Sequence, residues 1–339
     1  MKKILIIAEA GVNHNGDFET AKKMIDVAKT AGADIVKFQT AIPHLVMTNE
    51  APKAEYQINK TGIFESQLEM SKKFHLPLES YIGLKKYCDQ IGIKFLSTPF
   101  DEVSMKFLFD IGMEIFKIPS GEITNLPYLK KVSFLAKEII LSTGMSTLDE
   151  IDFAIEILTS NKKLNKTNIS ILHCNTEYPT PYDDVNLNVL STLKERYNTR
   201  VGYSDHTIGI EVPIAAVGIG AEIIEKHFTL DKSLPGPDQE CSLNPEELIN
   251  LVTSIRNIEK SFGTSEKKAT KSEEKNKIIA RRSIHIIDNL QLGHVLTEGD
   301  LIMKRPGDGI SPINIENILG KKIIKDLSKD HKLNYNDIE

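Results

Sequence analysis

Eight short runs rich in Ile, Val and Phe recur up to about residue 229, and stretches of helical period separate them. The runs are KILIIAEAG, DIVKFQT, KFLSTPF, EIFKIPSG, EIILSTG, ISILHCN, RVGYSDH and EIIEKHFT. Their apolar portions do not alternate with polar residues, which is the pattern of parallel strands buried on both faces. Amphipathic segments at 18–31, 84–91, 103–111 and 148–158 lie between them, and a last helix over 245–262 closes the set. Asp17 and Thr147 stand where N-caps belong, and Gly32, Gly92 and Gly112 where helices stop. Eight βα units over about 260 residues predict an α/β fold, a (β/α)8 TIM barrel spanning residues 1–263.

Two regions depart from this rhythm. The connection after the second run, from 41 to about 77, exceeds ordinary loop length and is expected to lie over the barrel mouth. After Phe262 the string GTSEKKATKSEEKNKIIARR is charged and reads as an exposed linker over 264–282. Residues 283–339 then form short strands punctuated by Gly and Pro, a small β-rich module marginal by itself. No repeat beyond the βα alternation is visible.

With 339 residues, 40% hydrophobic and 26% charged, the chain has the composition of an ordinary soluble protein. A net charge of −5 with scattered basic residues disfavours a nucleic-acid partner. Glu9 interrupts the first apolar run too early for a signal peptide, and no run approaches membrane-spanning length. Three cysteines, Cys88, Cys174 and Cys241, without close spacing, point to a reducing cytoplasm.

Every run ends in polar residues. Glu9 ends the first, Lys37 and Gln39 the second, Thr98 the third, and Lys117, Ser120 and Glu122 the fourth. Ser142 and Thr143 follow, then Cys174 and Asn175, then Ser204, Asp205 and His206, and finally His227. Barrel enzymes work at the carboxyl ends of their strands, so these groups converge on one rim. Neutral imidazole is the commonest metal ligand, and His206 and His227 on successive strand ends suggest a divalent-cation site, although either could be a hydrogen-bonded rim residue. Lys37 and Lys117 offer cations to a phosphate or carboxylate. They could equally pair with rim acids such as Glu9 or Glu122, or one could form a Schiff base. Asp238, on the loop SLPGPDQECS, is suited to orienting a polyol or to shaping a turn. Asn175, Thr176, Glu177 and Tyr178 share one loop suited to sugar hydroxyls, and Arg305 sits in the turn KRPGDG.

The ordered strings AEAGVNHNGD, VKFQT, STPFD, KIPSGE, LSTGM, LHCNTEYPTPYDDV, GYSDHT, EKHFTLDKSLPGPD and KRPGDGISP make the whole chain resemble the sialic acid synthases, the bacterial N-acetylneuraminate synthase family. The resemblance implies a metal-dependent TIM barrel fused to a C-terminal SAF (antifreeze-like) module. It implies condensation of phosphoenolpyruvate with N-acetylmannosamine and water, giving N-acetylneuraminate and phosphate. By resemblance His206 and His227 hold Mn²⁺ or Mg²⁺, which polarises the sugar aldehyde. Lys37, Thr98, Lys117, Ser120 and Ser204 match positions that hold phosphoenolpyruvate. Glu9, Gln39, Tyr178, Asp238 and Arg305 match positions associated with the amino sugar, and Glu122 matches a catalytic carboxylate near the reacting carbons. The better-known pattern reads HCTN where this chain has HCNTEY, so the phosphate contact stays open between Asn175 and Thr176. Asn59 in the long connection matches a sugar-contacting asparagine. The family's SAF module reaches across a domain-swapped homodimer, which would set Arg305 over the partner's barrel. The same chemistry on a 2,4-diacetamido-2,4,6-trideoxyhexose would yield legionaminic or pseudaminic acid instead. A Schiff-base pyruvate aldolase and a carbohydrate- or ice-binding protein are the more distant readings.

Overall fold

Strands buried on both faces must pair with parallel neighbours and be covered by helices, and the chain does this eight times. The computed structural model describes residues 3–55, 57–58 and 65–339, so Asn59 lies outside the described residues. The strands are β1 (Leu5–Gly11), β2 (Ile35–Thr40), β3 (Lys94–Pro99), β4 (Ile115–Ile118), β5 (Glu138–Ser142), β6 (Ile169–Cys174), β7 (Arg200–Asp205) and β8 (Ile223–His227). They form one parallel sheet in the order β3-β2-β1-β8-β7-β6-β5-β4, and β3 packs beside β4 to bring the ring nearly to closure. The TIM-barrel expectation is met.

Capping chemistry sets the helix ends as expected. Asp17 accepts a hydrogen bond from the Thr20 amide to start α1 (Phe18–Ala31), and Gly32 ends it at φ 84°. Thr147 and Glu150 exchange bonds as a capping box before the helix Leu148–Thr159. The barrel core is aliphatic, with Ile6, Ile7, Val36, Phe38, Phe116 and Ile224 essentially sealed from solvent.

Four readings need correction. The connection after β2 contains a one-turn helix, Pro43–Val46, and the helix Gln67–Phe74, which Ser66 and Glu69 cap as a box. The following helix runs from Leu78 to Ile91, beginning well before residue 84. The charged segment after the barrel holds the helix Lys271–Ala280, boxed by Thr270 and Glu273. None of its residues is buried, so it has no apolar stripe for a periodicity argument to find.

The fourth correction concerns repeats. The chain divides into two compact units, Met1–Gly263 and Thr264–Glu339. In the second, two segments match at a constant offset of 37 residues: Leu290 with Leu327, Gly293 with Asp330, His294 with His331, Asp300 with Asp337. Leu290 and Leu327 exchange both backbone hydrogen bonds, and the Ile286 and Ile323 amides donate to the His331 and His294 carbonyls respectively. Each histidine meets its own aspartate, at 3.0 and 2.8 Å, and each aspartate closes a capping box with Thr297 or Asn334. Gly293 and Asp330 both take positive φ, at 87° and 65°. The unit is thus a pseudo-two-fold pair built around its own small core of Ile284, Ile286, Leu296, Ile318, Ile323 and Leu333, with the short ladder Ser283–Ile286 against Leu301–Lys304. Few side chains are identical across the pair, which hides it from sequence inspection. Among the described residues no helix is long and apolar enough to cross a membrane.

Candidate active site

Successive residues of a strand face opposite sides, so positions i and i+2 share the barrel interior. That rule collects Lys37 with Gln39, and Glu225 with His227, around one cavity of about 190 Å³ at the carboxyl ends of the strands. Register adds the neighbours. Glu9 lies opposite Lys37 on one side and His227 on the other, Gln39 opposite Thr98, and Ser204 between Cys174 and Glu225.

A buried charge cluster occupies the floor. Lys37 Nζ stands 2.8 Å from Glu9 Oε2, 3.6 Å from Glu225 Oε1 and 3.2 Å from the Thr98 hydroxyl. Lys117 Nζ lies 3.2 Å from the same Glu225 oxygen, to which the Ser204 hydroxyl donates at 3.0 Å. Gln39 donates to Glu9 at 3.3 Å. Burial raises the Glu9 carboxyl to about 7 against the pull of Lys37. Burial also works against ionised Glu225, but Lys117, Lys37 and the Ser204 hydroxyl outweigh it and hold this group near 2. For Lys37, Glu225 and Glu9 outweigh burial and raise its pKa, whereas burial wins at Lys117 and lowers it. Two cations therefore share one firmly ionised carboxylate, and an arriving anion would stabilise the under-compensated ammonium of Lys117.

The opposite rim is aromatic. The Tyr178 ring stacks on His206 with centroids 3.9 Å apart, and His206 and His227 face each other at 5.5 Å. His206 Nδ1 donates to the Asn175 carbonyl, which leaves Nε2 as a bare lone pair. His227 Nδ1 is buried without a hydrogen-bond partner. Burial keeps both rings neutral, His206 at about 4 and His227 well below its ordinary value. Two neutral imidazoles with unclaimed nitrogens fit a divalent cation. Among the described residues no cluster of three His, Cys, Asp or Glu accompanies them, so a cation there would keep positions open for water and substrate.

The expected residues distribute unevenly. Glu9, Lys37, Gln39, Thr98, Lys117, Ser120, Thr176, Tyr178, Ser204, His206 and His227 all line the cavity. Asn175 does not; its side-chain amide turns to the Asp184 carbonyl, while Thr176 faces the mouth. Ser120 is anchored by the Gly144 amide at 2.9 Å. Glu122 is half-buried just behind Ser120, its carboxylate accepting from Asn125 at 2.5 Å, and it is not among the lining residues. Asp238 lines an adjoining chamber. Arg305 belongs to the second unit, where it is exposed and donates to the Ala280 carbonyl. Glu225 escaped the sequence reading, which took only His227 from the last run. The strand period was the available signal, since Glu225 precedes His227 by two residues.

A parallel barrel whose mouth sets paired lysines and hydroxyls against two neutral imidazoles has the chemistry to receive a small polyanion. The comparisons make the class specific. Residues 24–267 match the NeuB family and residues 281–339 the SAF domain. Over 97% of this chain and 98% of the relative, it is 50% identical to an N,N'-diacetyllegionaminic acid synthase of Campylobacter jejuni. A protein of the same description from Legionella pneumophila is 45% identical over 98% of this chain and 94% of its own. The crystal structure of N-acetylneuraminic acid (sialic acid) synthetase from Leptospira borgpetersenii, in complex with citrate, superposes with a TM-score of 0.69 at 37% identity, covering 81% of this chain and 90% of that one. This chain belongs to the NeuB family. Its activity is a phosphoenolpyruvate-dependent condensation with an amino sugar that forms a nonulosonic acid.

Proposed function

We propose that this enzyme condenses phosphoenolpyruvate and water with a 2,4-diacetamido-2,4,6-trideoxyhexose, giving N,N'-diacetyllegionaminic acid and phosphate. The observation that carries this choice of sugar is the identity of 50% and 45%, over nearly the whole chain, to two synthases of that product. N-acetylmannosamine, the expectation from motifs alone, is the second reading, supported by the 37% identity to the Leptospira enzyme.

In this reading Lys37 and Lys117 hold the phosphate and carboxylate charges, with Thr98, Ser120, Thr176 and Ser204 as hydrogen-bond donors. Thr176 takes the contact left open between it and Asn175, because it lines the mouth. Glu9, Gln39, Tyr178 and Asp238 hold the sugar. Family members often use a divalent metal, and Mn²⁺ or Mg²⁺ held on His206 and His227 would polarise the sugar's aldehyde oxygen. Carbon C3 of phosphoenolpyruvate forms the new bond to the aldehyde carbon, whose C=O π pair moves onto its oxygen, and the cationic C2 takes up water. The proton that water loses passes to the aldehyde oxygen by way of Glu9, a carboxyl of the cavity lining, in place of Glu122, which lies outside that lining. The tetrahedral C2 then expels phosphate by breaking its C–O bond, the C2 hydroxyl proton leaving with the phosphate and the ketone remaining. Cys88, Cys174 and Cys241 are buried thiols outside any disulfide, which accords with a cytoplasmic setting. The resemblance sets Arg305 over the barrel of a second copy, in a domain-swapped homodimer.

Turnover with three amino sugars tests the proposal: the 2,4-diacetamido sugars that lead to legionaminic and pseudaminic acid, and N-acetylmannosamine. The legionaminic precursor should give the highest kcat/KM, and a preference for either rival overturns the choice. Oxygen-18 in the C–O–P bridge should leave with phosphate; its retention in the product would refute C–O cleavage.

A further inference from the structure

Beside the polar cavity lies a second chamber of about 200 Å³, and the two share Gln39, Phe100 and Tyr178. Part of its wall is apolar, with Val46, Met47, Met70 and Phe74 contributing, and Gln57, Gln67 and Asp238 line it as well. Most of these come from the connection after β2, outside the ladder that builds the catalytic floor. His75 also lines it, and its Nε2 atom is buried with no hydrogen-bond partner.

The other ring nitrogen determines what Nε2 can do. His75 Nδ1 lies 3.0 Å from the Ser71 carbonyl oxygen and 3.1 Å from the Ser71 hydroxyl; the carbonyl can only accept, so Nδ1 carries the hydrogen and the hydroxyl turns a lone pair towards it. Burial holds the ring neutral. Nε2 is therefore a bare, buried acceptor at the wall of the chamber, an unfavourable arrangement until a donor arrives. The donor's direction follows from Tyr178, which stacks on His206 and borders both cavities. A sugar with its aldehyde at the histidines would run past Tyr178 and Gln39 into this space.

We propose that the chamber receives the far end of the amino sugar, a second acetamido group next to a deoxygenated methyl carbon, and that His75 Nε2 accepts the acetamido N–H. This rests on the reading of the site given above and makes His75 and the apolar wall the determinants of sugar choice. An acetamido group joins one N–H donor to an apolar methyl, and the terminal methyl carbon is apolar as well. A cavity of ~150 Å³ admits benzene, so the space suffices for both. A sugar with a hydroxyl in place of the methyl would set a polar group against the apolar part of the wall, at a cost in dehydration.

The test compares kcat/KM for the 2,4-diacetamido-trideoxy sugar with that for N-acetylmannosamine and reads the ratio of the two. His75→Phe keeps an aromatic ring and removes the acceptor, and should lower the ratio about tenfold, the worth of one neutral hydrogen bond. His75→Gln, which can offer an amide oxygen, should return it to within about threefold. Val46→Phe fills the chamber from the half-buried turn after β2 and should also lower the ratio, so it carries the test should His75→Phe fail to fold. A ratio that ignores both substitutions, or equal losses on both sugars, overturns the proposal. The two readings fail separately: wild-type preference for N-acetylmannosamine sinks the choice of product, while only the response of the ratio decides the chamber.

Discussion

At the scale of single residues, burial rather than residue type decides chemistry in this molecule. Asp238 shows it most simply, since burial alone raises its carboxyl from 3.8 to about 6. A carboxyl whose folded pKa is raised contributes stability fully present below its unfolded pKa and lost as pH climbs through the folded one. For Asp238 that window runs from about pH 4 to 6. Asp238→Asn should therefore stabilise the ligand-free protein above pH 6, by about 2–3 kcal/mol at 1.4 kcal/mol per unit. The gain should shrink to nothing below pH 4. Thermal unfolding of both proteins across this range checks it, and an offset independent of pH would show that the carboxyl's charge is not responsible. His227 was legible because it closes its run, whereas Glu225, one pleat deeper, needed the ring of strands to show which lysines it serves.

At the scale of elements, β7 and β8 use both of their faces. Ser204, Glu225 and His227 face the cavity, and on the other face Asp205 meets Lys226 at 2.6 Å, both sealed from water. Lys226 also donates to the Thr207 carbonyl, and Asp205 accepts from the Thr207 amide and hydroxyl. Removing one member strands the other as a buried charge, so Lys226→Met should cost roughly 3–5 kcal/mol. The double change Lys226→Met with Asp205→Asn should recover most of that loss, because no charge remains to be desolvated. Chemical denaturation of the three variants measures it; additive losses would mean that the pair is not coupled. The two strands approach closely at Gly202, where a Cβ would lie 2.4 Å from the Ile223 carbonyl oxygen, so this position admits no side chain. Helices with apolar stripes and caps were legible, as at Asp17 and Thr147. Lys271–Ala280 was not, since charge and a capping box sustain it without a buried face.

At the scale of the whole molecule, a full barrel and a small paired-repeat module stand on one chain. The proposal that Arg305 serves the barrel of a second copy makes a sharp prediction. Arg305→Ala and His206→Ala proteins, each expected to be nearly inactive, should regain activity when unfolded together and refolded as a mixture. The mixed dimer would join an intact pair of histidines to an intact arginine. Activity no higher than the sum of the separate proteins would place Arg305 outside the partner's site.

Alternation of buried strands with capped helices was enough, residue by residue, to determine the barrel and the polar rim that its strand ends must form. It could do so because burial on both faces and helical amphipathicity are local patterns written in consecutive residues. Only tertiary structure decided that Glu225 is shared by two lysines, that Thr176 rather than Asn175 faces the mouth, and that His75 borders the site. Each depends on groups far apart in the chain meeting across register and loop packing, and no local period records such a meeting. The repeat in the second unit belongs with these: its halves are related by exchanged backbone hydrogen bonds, to which side-chain identity contributes little.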